Sequence, residues 1–406
     1  MRRSSRWRVA LAGLTVISVI GVAGCGSPGS KSVEETPAAA DGKFPAAPKK
    51  PVTLTIMDSA GGLSVAKPLI EEFGKKHPEL VSKINYTTTT SPEMPGKLKA
   101  QQNAGRVGVD IVLLGPDSLA AGVSQNLFTK IWPEYKDGLP DLENTYLDNA
   151  KKLWKNAHGQ ALIYDTGTFG PLLEYLPDKL SDPPKTAQEL LEWAKRNPGK
   201  FQYASVANSG PGSAFLQGLP YQLGDSDPRD PEKGWDKTWA YLKELGKYID
   251  NYPAKTSETY ANLTNGTVKL VPSTFGWHVQ PRADNLIPES ATFTVLENTK
   301  FILSGGSVAI PKGVSADHLA VSLRLLGFML QPEQQAMTFD HGYVYPGPAI
   351  KDVTVDMAPP EMAELNKKYG VADYDDYIAK YPGADPLPAD VLVAAYDKWN
   401  RIIGGK

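Results

Sequence analysis

Hydrophobic and polar positions along this chain alternate between a two-residue and a 3.6-residue rhythm. VTLTIMD (Val52–Asp58) is rich in β-formers and ends at Ser59-Ala60-Gly61-Gly62. A helical pattern follows, with Val65, Leu69, Ile70 and Phe73 on one side, closing near His77-Pro78. KINYTTTT (Lys83–Thr90) reads as the next strand, and a polar helix is expected around Lys97–Ala104. VDIVLLG (Val109–Gly115) is almost continuously apolar, as expected of a strand covered on both faces. Pro116-Asp117-Ser118 then opens another helix. A βαβαβ order of this kind predicts a parallel sheet with helices on both faces, and an α/β fold.

The middle of the chain repeats the alternation. ALIYDTG (Ala161–Gly167) reads as a strand and turn. Thr186 and Glu189 form a capping-box pattern ahead of Leu190, Leu191, Trp193 and Ala194. Asn197-Pro198-Gly199 ends that helix, and FQYASV (Phe201–Val206) is the strand expected next. Further strands are expected within Val268–Phe275, Ala291–Glu297 and Ser307–Pro311, and a long helix within Ala316–Leu330. No short-period repeat is visible.

The first fifty residues follow neither rhythm. Residues 1–8 carry four arginines and no acid, and residues 9–24 are apolar or small without a charge. That order describes a secretory signal peptide. Sixteen residues rise roughly 24 Å as a helix, short of the ~30 Å hydrocarbon core. Val22-Ala23-Gly24-Cys25 resembles a bacterial lipobox, which implies cleavage before Cys25 and attachment of lipid to it. Residues 25–50 hold the cysteine and a tether rich in Ser, Pro, Ala, Gly and Lys, a composition that cannot bury a core. Cys25 is the only cysteine, so no internal disulfide can form.

Charge and motif content narrow the function. Loss of the four leader arginines leaves 39 basic against 45 acidic residues, a formal charge of −6. No basic patch interleaved with aromatics suggests nucleic acid. G-x-S-x-G, H-E-x-x-H and G-x-x-x-x-G-K-[ST] are all absent, and the five histidines have no metal-ligand spacing. The pattern points to binding rather than catalysis, with no cofactor or metal implied.

Five stretches between about 51 and 350 carry a resemblance. They are LTIMDSAGG with LIEEFGKKHPEL, DIVLLGPDSLAAGVSQNLFTKI, PPKTAQELLEWAKRNPGKFQY, ILSGGSVAIPKGVSADHLAVSLRLLGFMLQPEQQ and GYVYPG. In this order they resemble extracellular solute-binding proteins of ABC transporters, in the group that includes sugar, polyamine, iron and thiamine binders. The resemblance implies a type II periplasmic-binding-protein-like fold, two α/β lobes closing on a small-molecule ligand. The implied partners are a membrane permease and, through the anchor, membrane lipid, for a monomer at the outer face of the cell membrane. The expected division is 51–162 with 298–350 as one lobe, 163–297 as the other, and 351–406 as helices packed on the lobes. Two other readings fit the same features: a secreted lipoprotein hydrolase acting on envelope carbohydrate, and a solute-sensing lobe for a membrane receptor.

Ligands of open α/β sheets lie beyond the carboxyl ends of strands, at helix N-termini. That rule selects Asp58, Ser59, Gly61 and Gly62; Asp117 and Ser118; Asp165, Thr166 and Thr168; and Ser209, Gly212 and Ser213. Trp277 follows the Val268–Phe275 segment, and Tyr343 and Tyr345 lie in the turn after the long helix. Each has a structural alternative: Asp58, Asp117 and Thr166 can cap helices, the glycines can serve turns, and Trp277 can be core. Three strand-end aspartates with aromatics nearby suit a cation, such as a polyamine or a thiazolium compound. Ser-Gly-rich helix N-termini suit phosphate or sulfate instead.

Overall fold

The computed structural model describes residues 42–167 and 170–405. The leader, Cys25 and Thr168 fall outside the described residues. The first sheet takes the order β2-β1-β3-β9-β4, and its first two strands are β1 (Val52–Asp58) and β2 (Val81–Thr88). The next in sequence are β3 (Ile111–Leu114) and β4 (Leu162–Ile163). A second sheet places β5 (Leu172–Tyr175) between β6 (Leu270–Ser273) and β7 (Thr292–Thr294). Then come β8 (Phe301–Ile302) and β9 (Ser307–Ala309), the latter returning to the first sheet, and β10 (Gly383–Ala384), which pairs with β8.

Strand β3 shows why its run has no polar break. Ile111 and Leu113 enter the larger core with Leu54, Ile56 and Phe73, whereas Val112 and Leu114 point to a second cluster with Met94, Leu98 and Phe128. Alternation is present, but both faces are dry. The helix Leu63–Lys76 buries Val65, Ala66, Leu69, Ile70 and Phe73 against the same sheet. Each large side chain so buried contributes about 1.5–3 kcal/mol relative to an exposed one.

Three expectations change. The sheet is mixed rather than parallel: β1 pairs in parallel with β2 and β3, but β9 runs antiparallel to both β3 and β4. The chain comes back from the second lobe at the same end of the sheet at which β4 leaves it, and that reverses β9. FQYASV is extended but makes only one bridge, Phe201 to Leu270. Its apolar residues Phe201, Tyr203 and Val206 fill the second lobe's core without joining a ladder. The capping pattern at Thr186 is half as expected. Thr186 Oγ1 accepts the Glu189 N–H at 3.0 Å, while the Glu189 carboxylate reaches one residue further back, to the Lys185 N–H at 2.8 Å.

Two crossings join the lobes and run side by side. Tyr164 N–H donates to Gly306 O at 3.0 Å, Gly167 N–H to Ser304 O at 2.9 Å, and Thr166 N–H to Gly347 O at 2.9 Å. Past residue 350 the chain forms helices Pro360–Tyr369, Tyr374–Lys380 and Ala389–Ile402. The last one sends Leu392, Ala395, Trp399 and Ile403 into the second lobe's core, a spacing of three and four residues that puts them on one face. Trp399 is 1% exposed, stacks near Tyr203 and Tyr252, and donates its indole N–H to the Tyr203 hydroxyl at 3.0 Å. Among the described residues, no helix is long and apolar enough to cross a membrane.

Trp399→Ala removes the largest side chain joining this helix to the lobe and is expected to cost about 3–5 kcal/mol. Denaturant unfolding monitored by circular dichroism measures it; a loss below 1 kcal/mol would show that the helix is not integral to the lobe.

Candidate functional site

A cavity of about 380 Å³ opens between the lobes, and five separate pieces of chain line it. Pro116 and Asp117 come from the first lobe, where β3 passes into the helix Pro116–Ser124. Residues 206–210, Ser213, Ala214, Gln217 and Thr274 come from the second lobe. Ile302, Leu303 and Ser304 belong to the returning crossing, and Pro386, Leu392 and Tyr396 to the tail. A larger depression of about 820 Å³ lies around Tyr221, Lys300 and Lys380, but no first-sheet strand or helix contributes to it.

Three helices present their N-terminal ends to the interlobe cavity. Ser209 caps Gly210–Leu223, its Oγ accepting the Gly212 N–H at 3.0 Å and pairing with Thr256 Oγ1 at 2.7 Å. Thr274 caps Phe275–Ala283. At Pro116–Ser124 the Ser118 hydroxyl accepts the Gly115 N–H at 3.1 Å, and Ser59 Oγ lies 2.9 Å from it. Asp117 stands in the first turn of that helix as the one ionisable carboxylate in the cavity lining among the described residues, none of which puts a Lys or Arg beside it there. Burial raises its carboxyl above the ordinary value.

The other sequence-selected residues among those described lie outside the cavity lining, and several have partners within the fold. Asp58 Oδ1 accepts the N–H groups of Ala60 and Gly62, and Oδ2 that of Leu63, all at 2.9–3.0 Å. Its carboxylate thus organises the turn before helix Leu63–Lys76. Ser59 donates to Leu113 O at 2.9 Å. Gly61 has φ +80° in open space, and Gly62 approaches the Tyr164 hydroxyl so closely that a Cβ would collide with it. Thr166 Oγ1 donates to Pro348 O at 2.9 Å. Gly212 packs under the Ala204 carbonyl. Trp277 lies half-buried with its ring 5.3 Å from that of Tyr260. Tyr343 is 43% exposed, and the Tyr345 hydroxyl accepts the Val371 N–H at 2.9 Å.

Asp165 sits where the two crossings meet. Its Oδ1 accepts the Gly306 N–H at 2.6 Å, and any side chain at position 306 would strike its carboxylate and the Tyr164 ring. Burial pushes the carboxyl up to about 7, the Gly306 N–H opposes the rise, and the charge of Asp340 adds to it. The histidines act within the lobes: His278 Nδ1 lies 2.8 Å from Glu174, and His318 Nδ1 2.7 Å from Asp110.

Sequence reasoning missed Gln217, Thr274, Ser304, Leu392 and Tyr396 as cavity residues. Thr274 carried a signal, since it follows a strand and precedes a helix. Leu392 and Tyr396 carried none, because helix-spaced apolar and aromatic residues read as core.

Comparison with known proteins now bears on this geometry. The family model for bacterial extracellular solute-binding proteins matches residues 68–368. The chain belongs to that family. Protein YnjB of Escherichia coli (strain K12) is 29% identical over 189 residues, 43% of this chain and 47% of YnjB. The chain thus spans about half the length of that curated relative. The fold is shared with the spermidine/putrescine substrate-binding protein PotD of Streptococcus pneumoniae, at a TM-score of 0.61 and 16% identity, covering 86% of this chain and 98% of that one. It is also shared with the periplasmic binding protein AfuA of Actinobacillus pleuropneumoniae, solved with fructose-6-phosphate, at a TM-score of 0.56 and 17% identity, covering 86% of this chain and 98% of that one. This family member is therefore a two-lobed α/β protein of the periplasmic-binding class, with the cavity between its lobes.

The raised carboxyl of Asp165 has a consequence for stability. The folded chain keeps that proton to about pH 7, whereas the unfolded chain releases it near 4. Between those values the native state binds more protons, so this contribution to stability is present below pH 4 and is lost as pH rises through 7. The shift corresponds to about 4 kcal/mol. Asp165→Asn retains an oxygen for Gly306 and is expected to be more stable than the parent at pH 8 and to lose most of that advantage by pH 4. Unfolding curves across pH read this directly, and a pH-independent difference would contradict it.

Proposed function

We propose that this substrate-binding protein of an ABC importer captures a small polar solute bearing a positive charge and delivers it to a membrane permease. The supporting observation is Asp117: a carboxylate held in the cavity, raised by burial, with no basic side chain lining the same space. A cation entering beside it supplies the missing counter-charge, and closure of the lobes converts that contact into differential affinity for the closed state. A second reading rests on the three helix N-termini around the cavity, which favour an anionic group such as a phosphate ester.

Titration calorimetry of the purified protein with spermidine, thiamine and fructose-6-phosphate separates the two. On the cation reading spermidine or thiamine binds, and Asp117→Asn weakens that binding at least tenfold, about 1.4 kcal/mol. Affinity also falls on acidification, as protonation of Asp117 removes its charge. Binding of fructose-6-phosphate alone, or binding of a cation untouched by Asp117→Asn, would decide against it.

Cys25 is proposed as the lipid attachment site that holds the domain at the outer face of the cell membrane, on the strength of the Arg-rich, apolar and small-residue order before it. Cys25→Ser is expected to move the protein from the membrane fraction to the soluble exported fraction. Retention in the membrane fraction would refute lipid anchoring through this residue.

A further inference from the structure

The cavity wall opposite Asp117 is built from the tail. Helix Ala389–Ile402 is fixed in the second lobe by Trp399 and lies against the first lobe's helix Pro116–Ser124. Its Tyr396 reaches the cavity, where the phenol oxygen is 2.6 Å from Ser213 Oγ. Ser213 in turn accepts a hydrogen bond from Gln217 Nε2 at 2.9 Å, and Gln217 Oε1 accepts the Leu387 N–H at 3.0 Å. A polar chain therefore ties the entry of the tail helix to the cleft-facing helix of the second lobe.

Counting protons along that chain gives a definite result. Ser213 and Tyr396 bring two hydroxyl protons, and their mutual hydrogen bond uses one. Gln217 occupies an acceptor position on Ser213, not a donor. Whichever hydroxyl donates to the other, one proton is left over on a side chain that lines the cavity. Burial keeps the Tyr396 phenol protonated, and the Asp117 charge adds to that effect. The left-over donor needs an acceptor when the cavity closes, because a desolvated hydroxyl without one costs about 1–3 kcal/mol.

We propose that the Ser213–Tyr396 hydroxyl pair is a specificity determinant that selects, among cationic solutes, those that also carry a hydrogen-bond acceptor. The inference rests on the cation reading for Asp117 and adds a second requirement to it. It also assigns a ligand contact to the tail, since Tyr396 lies beyond residue 368, where the family match ends. A fully protonated polyamine satisfies Asp117 but offers no acceptor. A cation with hydroxyl or ring-nitrogen acceptors satisfies both walls.

The test compares thiamine, which has such acceptors, with spermidine, which has none when fully protonated, by calorimetry on the purified protein and on Ser213→Ala, Tyr396→Phe and the double variant. The wild-type protein is expected to bind thiamine more tightly than spermidine. Each single variant leaves one hydroxyl proton in the cavity, so thiamine affinity changes by less than threefold. The double variant removes the donor, and thiamine affinity falls tenfold or more while spermidine affinity changes by less than threefold. That non-additive, ligand-selective loss is not produced by a purely structural role. If the double variant weakens both ligands equally or leaves thiamine binding intact, the role of the pair is overturned and the cation reading stands. If the wild-type protein binds neither, the cation reading falls and the proposal falls with it. Should the double variant fail to fold, Ser213→Ala combined with Tyr396→Met keeps the helix packing and reads the same outcome.

Discussion

The backbone hydrogen bonds between residues 164–167 and residues 304, 306 and 347 are the constraint on which the remaining architecture depends. They hold the outgoing and returning crossings in register where the two lobes join. Close approach of the strands there demands glycine at 306, where a Cβ would strike Asp165 and Tyr164. It also buries the Asp165 carboxyl where only one N–H compensates it. The junction thus carries an unfavourable buried acid in exchange for a tight chain crossing. The direction of β9 follows from the same geometry, because a chain returning beside the outgoing crossing enters the first sheet at the end where β4 leaves it.

Cleft geometry is inherited from that junction. The cavity lies next to Leu303 and Ser304, one step along the returning crossing from its hydrogen bonds. The tail adds to this rather than merely covering the lobes. β10 pairs with β8 on the same crossing, and Leu303 N–H donates to Ala384 O at 2.9 Å. From there the chain runs directly into the helix that carries Leu392 and Tyr396. One short segment therefore connects junction, tail and cavity wall.

The sequence made the first lobe legible because its signals are local. The dry strand Ile111–Leu114 and the amphipathic helix Leu63–Lys76 each declare themselves within a few residues. Site residues were harder, because the same residue type serves two purposes at a strand end. Asp58 and Asp117 both follow a strand and precede a helix. The glycine-rich turn after Asp58 folds three N–H groups onto its carboxylate, whereas Asp117, already inside its helix, faces the cavity. The difference lies in backbone geometry: a positive-φ glycine follows Asp58, and Pro116 opens the helix before Asp117. Tyr396 was illegible for another reason: its partner Ser213 is 183 residues away, and only the packing of Trp399 brings them together. FQYASV was read as a strand from its apolar residues, but a ladder needs a neighbour, and among the described residues it makes only the Phe201–Leu270 bridge.

The charge balance of the cavity can be weighed by magnitude. A helix N-terminus favours a nearby anion by about 0.3–1 kcal/mol when exposed, and by up to about 2 kcal/mol when partly buried. A cation at about 4 Å from a carboxylate gains about 4 kcal/mol at an effective dielectric of about 20. Two of the three N-termini already have a side-chain hydroxyl capping an N–H, Ser209 and Thr274, which reduces what they offer a ligand. The third is the helix that carries Asp117 itself, so its positive end is partly spent on that carboxylate. Asp117 nonetheless has its carboxyl raised rather than lowered, with burial as the cause. On the proposed cation reading, the ligand supplies beside the aspartate the positive charge that the helix ends do not. The proposed role of the Ser213–Tyr396 pair then adds a demand for an acceptor on that same molecule.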